Sequence, residues 1–69
     1  MDIGKSIQEC NKAKGWDQSA LADQMGVHRA AISTIKRRNS CHSDTLIALA
    51  KAYKIQVSEF IAAGEAEHG

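Results

Sequence analysis

Apolar residues recur along this chain at three- and four-residue intervals in short blocks, the spacing of amphipathic helices. In the first block Ile3, Ile7 and Cys10 form a stripe opposite Lys5, Glu9, Lys12 and Lys14, which predicts a helix from Ile3 to about Lys14. Lysines late in a helix suit its negative end, and Gly15 supplies the stop. Trp16 then bridges to the next element, packed in the core or at its edge, with a stacking platform as the functional alternative. Asp17 is a good N-cap for a second helix carrying Leu21, Ala22 and Met25 and running to about Gln24. Ile32 and Ile35 share a face in a third, Arg29 to about Arg37, which His28 caps or begins. A fourth carries Leu46, Leu49, Ala50 and Tyr53, with Ile47 at its margin. His42 or Ser43 caps it, and Asp44 is favourably placed in its first turn. Ile55 and Val57 read as a short apolar connection, after which Ser58 caps a last helix, Glu59 to Ala63, stopped by Gly64. No strand alternation, repeat or proline interrupts the pattern. The expectation is an all-α, compact five-helix bundle over residues 1–64, followed by a flexible charged tail, 65–69.

The stretch Gln18 to Lys36, QSALADQMGVHRAAISTIK, organises the rest. Gly26 stands where a sharp reversal needs positive φ, which glycine adopts at little cost. A helix, a short turn containing glycine and a second helix at a steep angle make a helix-turn-helix. An ordinary pair of core helices is the plainer alternative. The third helix carries Ala30, Ala31, Ser33 and Thr34 outside, where a solvent-facing helix more commonly carries Glu, Lys and Gln. Short side chains let a backbone approach a groove floor.

Sixty-nine residues make one domain. A chain of this size buries only about 60% of the surface its unfolded form exposes, so a partner or a second copy would add stability. The net charge of +1 says little, but its distribution says more. Between His28 and Ser43 lie Arg29, Lys36, Arg37 and Arg38, two histidines and no acid. That one-sided cluster fits a polyanion, or is simply a solvated face. No apolar run approaches the roughly 20 residues that cross a bilayer, and no signal-peptide layout opens the chain, so a cytoplasmic location without membrane attachment is expected. Cys10 falls in the first apolar stripe and Cys41 in a polar loop. Neither belongs to a metal-binding spacing, so no metal, cofactor or small-molecule ligand is expected. Cys41 and His42 are adjacent on a loop with no orienting acid, which argues against an enzyme.

From Ile3 to Ile61 the chain resembles the Cro/C1-type (XRE-like) helix-turn-helix family, whose fold is a five-helix domain. The carrying residues are Ile3-Gly4, Ile7, Gly15-Trp16-Asp17-Gln18, Leu21-Ala22, Met25-Gly26-Val27, Ile32-Ser33 and Ile35. They continue with Thr45-Leu46, Leu49-Ala50-Lys51-Ala52 and Val57-Ser58-Glu59-Phe60. The resemblance implies that the third helix enters the major groove of duplex DNA. Base-reading positions then fall on His28, Arg29, Ala30 and Thr34, with Ala31 and Ser33 beside them. Arg29 has the chemistry to chelate guanine O6 and N7, and Ala30 to touch a thymine methyl. Gln18 occupies the phosphate anchor, and Lys36, Arg37, Arg38, Asn39, Ser40 and Ser43 lie near phosphate. The family often has an acid in place of Lys36 and a glycine in place of Arg38. Losing the glycine passes the left-handed helix stop to another residue, such as Asn39. His28 replaces a more usual Ser or Thr cap, which makes pH-sensitive binding conceivable beside a neutral capping or phosphate contact.

By the same resemblance the chain is a dimeric repressor that occludes a promoter at a near-palindromic operator. It is expected to be a complete Cro-like protein or the N-terminal domain of a larger repressor. Phe60 and Ile61 form the dimer surface unless they complete the monomer core. The alternative is an antitoxin-type module whose main partner is a protein and whose DNA binding is autoregulatory.

Overall fold

The computed structural model describes residues 2–65. Within them run five helices and no strand: α1 Ile3–Lys14, α2 Gln18–Met25, α3 Arg29–Arg38, α4 Ser43–Tyr53 and α5 Val57–Glu65.

Three helices stop the same way. Gly15, Gly26 and Lys54 take left-handed conformations at φ 72°, 70° and 60°. The N–H of the following residue then donates back to a carbonyl five residues earlier: Trp16 to Asn11 at 2.8 Å, Val27 to Ala22 at 3.0 Å and Ile55 to Ala50 at 3.0 Å. Each of those following residues is apolar, the pairing expected of a Schellman stop. The beginnings are capped by side chains. Asp2 Oδ1 accepts from Lys5 N–H at 3.0 Å, and Asp17 Oδ1 from Ala20 N–H at 2.8 Å. His42 occupies the N-cap of α4 without a side-chain cap bond.

The apolar stripes meet in one core of Ile3, Ile7, Cys10, Leu21, Ala22, Ile32, Leu49, Ala50, Tyr53 and Phe60. Trp16, Tyr53 and Phe60 stack in a row, with ring centres 5.4 Å and 6.1 Å apart, a geometry aromatic rings favour. Trp16 is thus an edge-of-core residue. The Tyr53 hydroxyl is buried and donates to Asn11 Oδ1 at 2.5 Å, so the one buried amide of α1 is satisfied. Burial pushes the Tyr53 phenol well above its usual pKa, since the phenolate would lose its water.

Four expectations need correction, all in α5. The helix starts at Val57, so Ser58 is not its cap: Glu59 Oε1 reaches back to Gln56 N–H at 3.1 Å and holds the first turn. Gly64 does not stop the helix but lies buried within it, pressed against Ser6 and the Asp2 backbone of α1. Phe60 is fully buried beneath Tyr53, so it completes the monomer core and offers no surface to a second copy. Ile61 is half-buried. Glu65 belongs to α5, and residues 66–69 of the expected tail lie outside the described residues.

Candidate nucleic-acid interface

α2 and α3 are held at their junction by Gly26 and by His28, whose Nδ1 accepts from Ala30 N–H at 3.0 Å. An accepting Nδ1 leaves the other ring nitrogen as the N–H donor, and that edge is exposed. Only Ile32 of α3 is fully buried, with Ile35 and Lys36 beside it half-covered. The opposite face presents Ala30, Thr34 and Arg37 in one row, the i, i+4, i+7 spacing of a helix. Thr34 Oγ1 donates to Ala30 O at 3.0 Å, which turns the hydroxyl inward along the helix.

Beside this row an open groove of about 880 Å³ runs between the start of α2 and α3. His28, Arg29, Ala30, Ser33 and Thr34 all line it, together with Gln18 and Arg37. Five expected base-reading residues and the expected anchor therefore share one surface. Arg37, expected beside phosphate, joins them on the reading row. Ala31 does not: it borders a separate apolar hollow with Met25, Val27 and Ile35. Arg38 and Ser40 border a third depression with Cys41 and His42 on the α4 side of α3, so Arg37 and Arg38 diverge. Ser43 is exposed at the first turn of α4.

Three of the residues expected near phosphate, Gln18, Lys36 and Asn39, have partners within the fold. Gln18 Nε2 donates to Ser33 Oγ at 2.7 Å, while its Oε1 accepts from Lys36 Nζ at 3.3 Å. The anchor is thus a tie between the two helices of the motif. Asn39 takes the left-handed stop of α3 at φ 56°, and its Oδ1 accepts from Gly4 N–H at 2.9 Å. That bond fastens the end of α3 to the start of α1, which the sequence pattern did not reveal.

A family described as helix-turn-helix matches residues 7–60. The chain belongs to the Cro/C1-type helix-turn-helix family. Neither a curated protein nor a solved structure matches it. Members of this family are DNA-binding transcription regulators, and this chain is one. Its motif occupies α2, the Gly26 turn and α3, and the remaining helices close the core behind them.

Burial raises the pKa of both thiols, Cys10 with a further push from Glu9, so each favours the neutral thiol over the nucleophilic thiolate. No helix among the described residues is long and apolar enough to cross a membrane, and no three His, Cys, Asp or Glu side chains among them converge as metal ligands.

Proposed function

We propose that this chain is a sequence-specific transcriptional repressor that binds a near-palindromic operator as a homodimer, with α3 in the major groove. The observation that carries the reading is the joint placement of His28, Arg29, Ala30, Ser33, Thr34 and Arg37 around one open groove, with Gln18 at its rim. The row is narrow enough to approach base edges because Ala30 and Thr34 are short. Arg29 and Arg37 flank it with guanidinium groups, which pair in bidentate fashion with guanine. Arg38, Ser40 and Ser43 sit beside the row and suit phosphate, fixing register without reading sequence. In a dimer the two α3 helices address successive major grooves about 34 Å apart. The half-buried Ile61 is the remaining candidate for the contact between copies.

Selection of preferred sites from random duplex DNA tests this. Enrichment of a two-fold symmetric site, with half-sites one turn apart, is the expected result. An asymmetric half-site would refute the homodimer while leaving the DNA reading. No enrichment at moderate salt would refute operator binding and favour the protein-binding, antitoxin-type reading.

A further inference from the structure

We propose that Lys36 sets the hydrogen-bond polarity of the reading face: through Gln18 it turns the Ser33 hydroxyl proton outward, making Ser33 a donor to the base edge. The inference rests on the reading of α3 as the helix that meets bases. It begins with an asymmetry of chemistry. An ammonium has three donors and no acceptor, so the amide atom facing Lys36 Nζ at 3.3 Å must be the oxygen of Gln18. The amide nitrogen is thereby committed to the other side, where it donates to Ser33 Oγ at 2.7 Å. An oxygen receiving an N–H cannot point its own proton at that donor. Ser33 is exposed and lines the groove, so its proton is free to turn toward the groove, with one lone pair left beside it.

The neighbouring hydroxyl has the reverse polarity. Thr34 Oγ1 spends its proton on Ala30 O at 3.0 Å and keeps only lone pairs and a methyl for the outside. Two adjacent hydroxyls on one helix are thus given opposite senses by different partners. In the major groove guanine offers N7 and O6 as acceptors and thymine O4, whereas cytosine N4 is a donor. Adenine offers N7 as an acceptor beside its N6 donor, so a donating Ser33 favours guanine, thymine or adenine over cytosine on the strand it faces. An acid at position 36, as the family often has, would draw the amide nitrogen to itself and present the Gln18 oxygen to Ser33. Ser33 would then donate to Gln18 and become an acceptor toward DNA. The residue that sets the preference touches no base.

The test compares sites selected from random duplexes by the wild type, Ser33→Ala, Lys36→Glu and Gln18→Glu, each confirmed folded by its thermal melt. Ser33→Ala identifies the base pair concerned, by erasing a discrimination against cytosine of about three- to tenfold, the worth of one hydrogen bond. Lys36→Glu is expected to reverse the preference at that base pair alone, toward cytosine, the one base that offers only a donor there. Gln18→Glu, which offers Ser33 only an acceptor while keeping Lys36, is expected to give the same reversal. A general loss of affinity from the changed charge leaves this within-site ratio intact. If Lys36→Glu fails to fold, Lys36→Met is expected to shrink the preference by freeing the amide to rotate. An unchanged preference at that base pair in Lys36→Glu and Gln18→Glu overturns the inference while leaving operator binding intact. So does a Ser33→Ala profile identical to the wild type. A wild type that selects no sequence overturns the reading of α3 itself, and this inference with it.

Discussion

Gly64 offers a sharp test of how α5 is seated. Replacing a helical glycine by alanine ordinarily stabilises by about 1 kcal/mol, through backbone entropy. Here a Cβ on residue 64 would lie 2.5 Å from the Asp2 carbonyl oxygen and 3.1 Å from Ser6 N, and would overlap Ser6 Oγ. The Asp2 and Ser6 backbones belong to the first turn of α1, tied by the Ser6 N–H to Asp2 O bond of 3.0 Å, so they cannot swing aside as a flexible side chain would. Overpacking of this kind costs about 1–3 kcal/mol, and a backbone obstacle argues for the upper end. Against the helix gain, Gly64→Ala is expected to destabilise by about 2 kcal/mol net. For a domain of this size that lowers the melting temperature by about 8–16 °C. Ser6 supplies the control. Its buried hydroxyl has no hydrogen-bond partner among the described residues, so Ser6→Ala removes an uncompensated polar group and is expected to stabilise by about 1 kcal/mol. It also clears one of the collisions, so Gly64→Ala should cost about 1 kcal/mol less in that background. The four proteins are compared by urea unfolding followed by circular dichroism. A Gly64→Ala variant as stable as the wild type, or strictly additive effects, would refute the close approach and return Gly64 to the role of a simple helix stop.

The remaining predictions concern the interface, the α3 stop and the buried phenol. Arg29→Ala is expected to weaken specific binding by about 1–3 kcal/mol and spare random DNA, whereas Arg38→Ala weakens both and lowers the salt slope by about one unit. Arg37→Ala should do both, relaxing sequence preference and lowering the slope; titrations at several salt concentrations on specific and random duplexes separate the three. Asn39→Ala strains a left-handed residue and orphans Gly4 N–H, for about 2 kcal/mol, while Asn39→Gly loses only the hydrogen bond, for about 1 kcal/mol, as denaturant midpoints would show. The Tyr53 pKa is raised in the folded state, so its contribution is fully present below the unfolded value near 10 and falls as pH rises above it. The slope is at most about 1.4 kcal/mol per pH unit, and Tyr53→Phe should flatten it in alkaline melts.

Periodicity and punctuation made α1 to α4 legible, because each signal acts locally. Gly15-Trp16 and Gly26-Val27 announce their stops in the sequence itself, a permissive residue followed by an apolar one. Lys54-Ile55 makes the same stop without glycine, at φ 60°, and nothing in the residue type announces it. At α5 the local rules misled. Ser58 is a better cap by type than Gln56, but Glu59 compensates by reaching back to the Gln56 N–H. A glycine near a helix end usually marks the end, and Gly64 instead marks a surface where another backbone comes close. The Tyr53–Asn11 pair is separated by 42 residues, beyond any periodic signal. Phe60 and Ile61 are adjacent and both apolar, so only the Trp16–Tyr53–Phe60 stack decides that Phe60 is the one fully buried.

The site was legible to the extent that it is a helix face. What the pattern could not carry is which side chains restrain one another across elements. With arginine at position 38, the left-handed stop falls on Asn39. The residue that takes the stop also supplies the oxygen that fastens Gly4, so the helix is anchored to α1 at its end. The second departure, Lys36, acts at the opposite flank, where it grips Gln18 and through it Ser33. Lys36 adds positive charge, yet it does not work by charge alone: it is coupled to the Gln18 amide, whose two ends are chemically different. An amide whose oxygen and nitrogen are both assigned by their neighbours, as in Gln18, can convert a change of charge at position 36 into a change of orientation, which is the basis of the proposal that Lys36 sets what Ser33 offers.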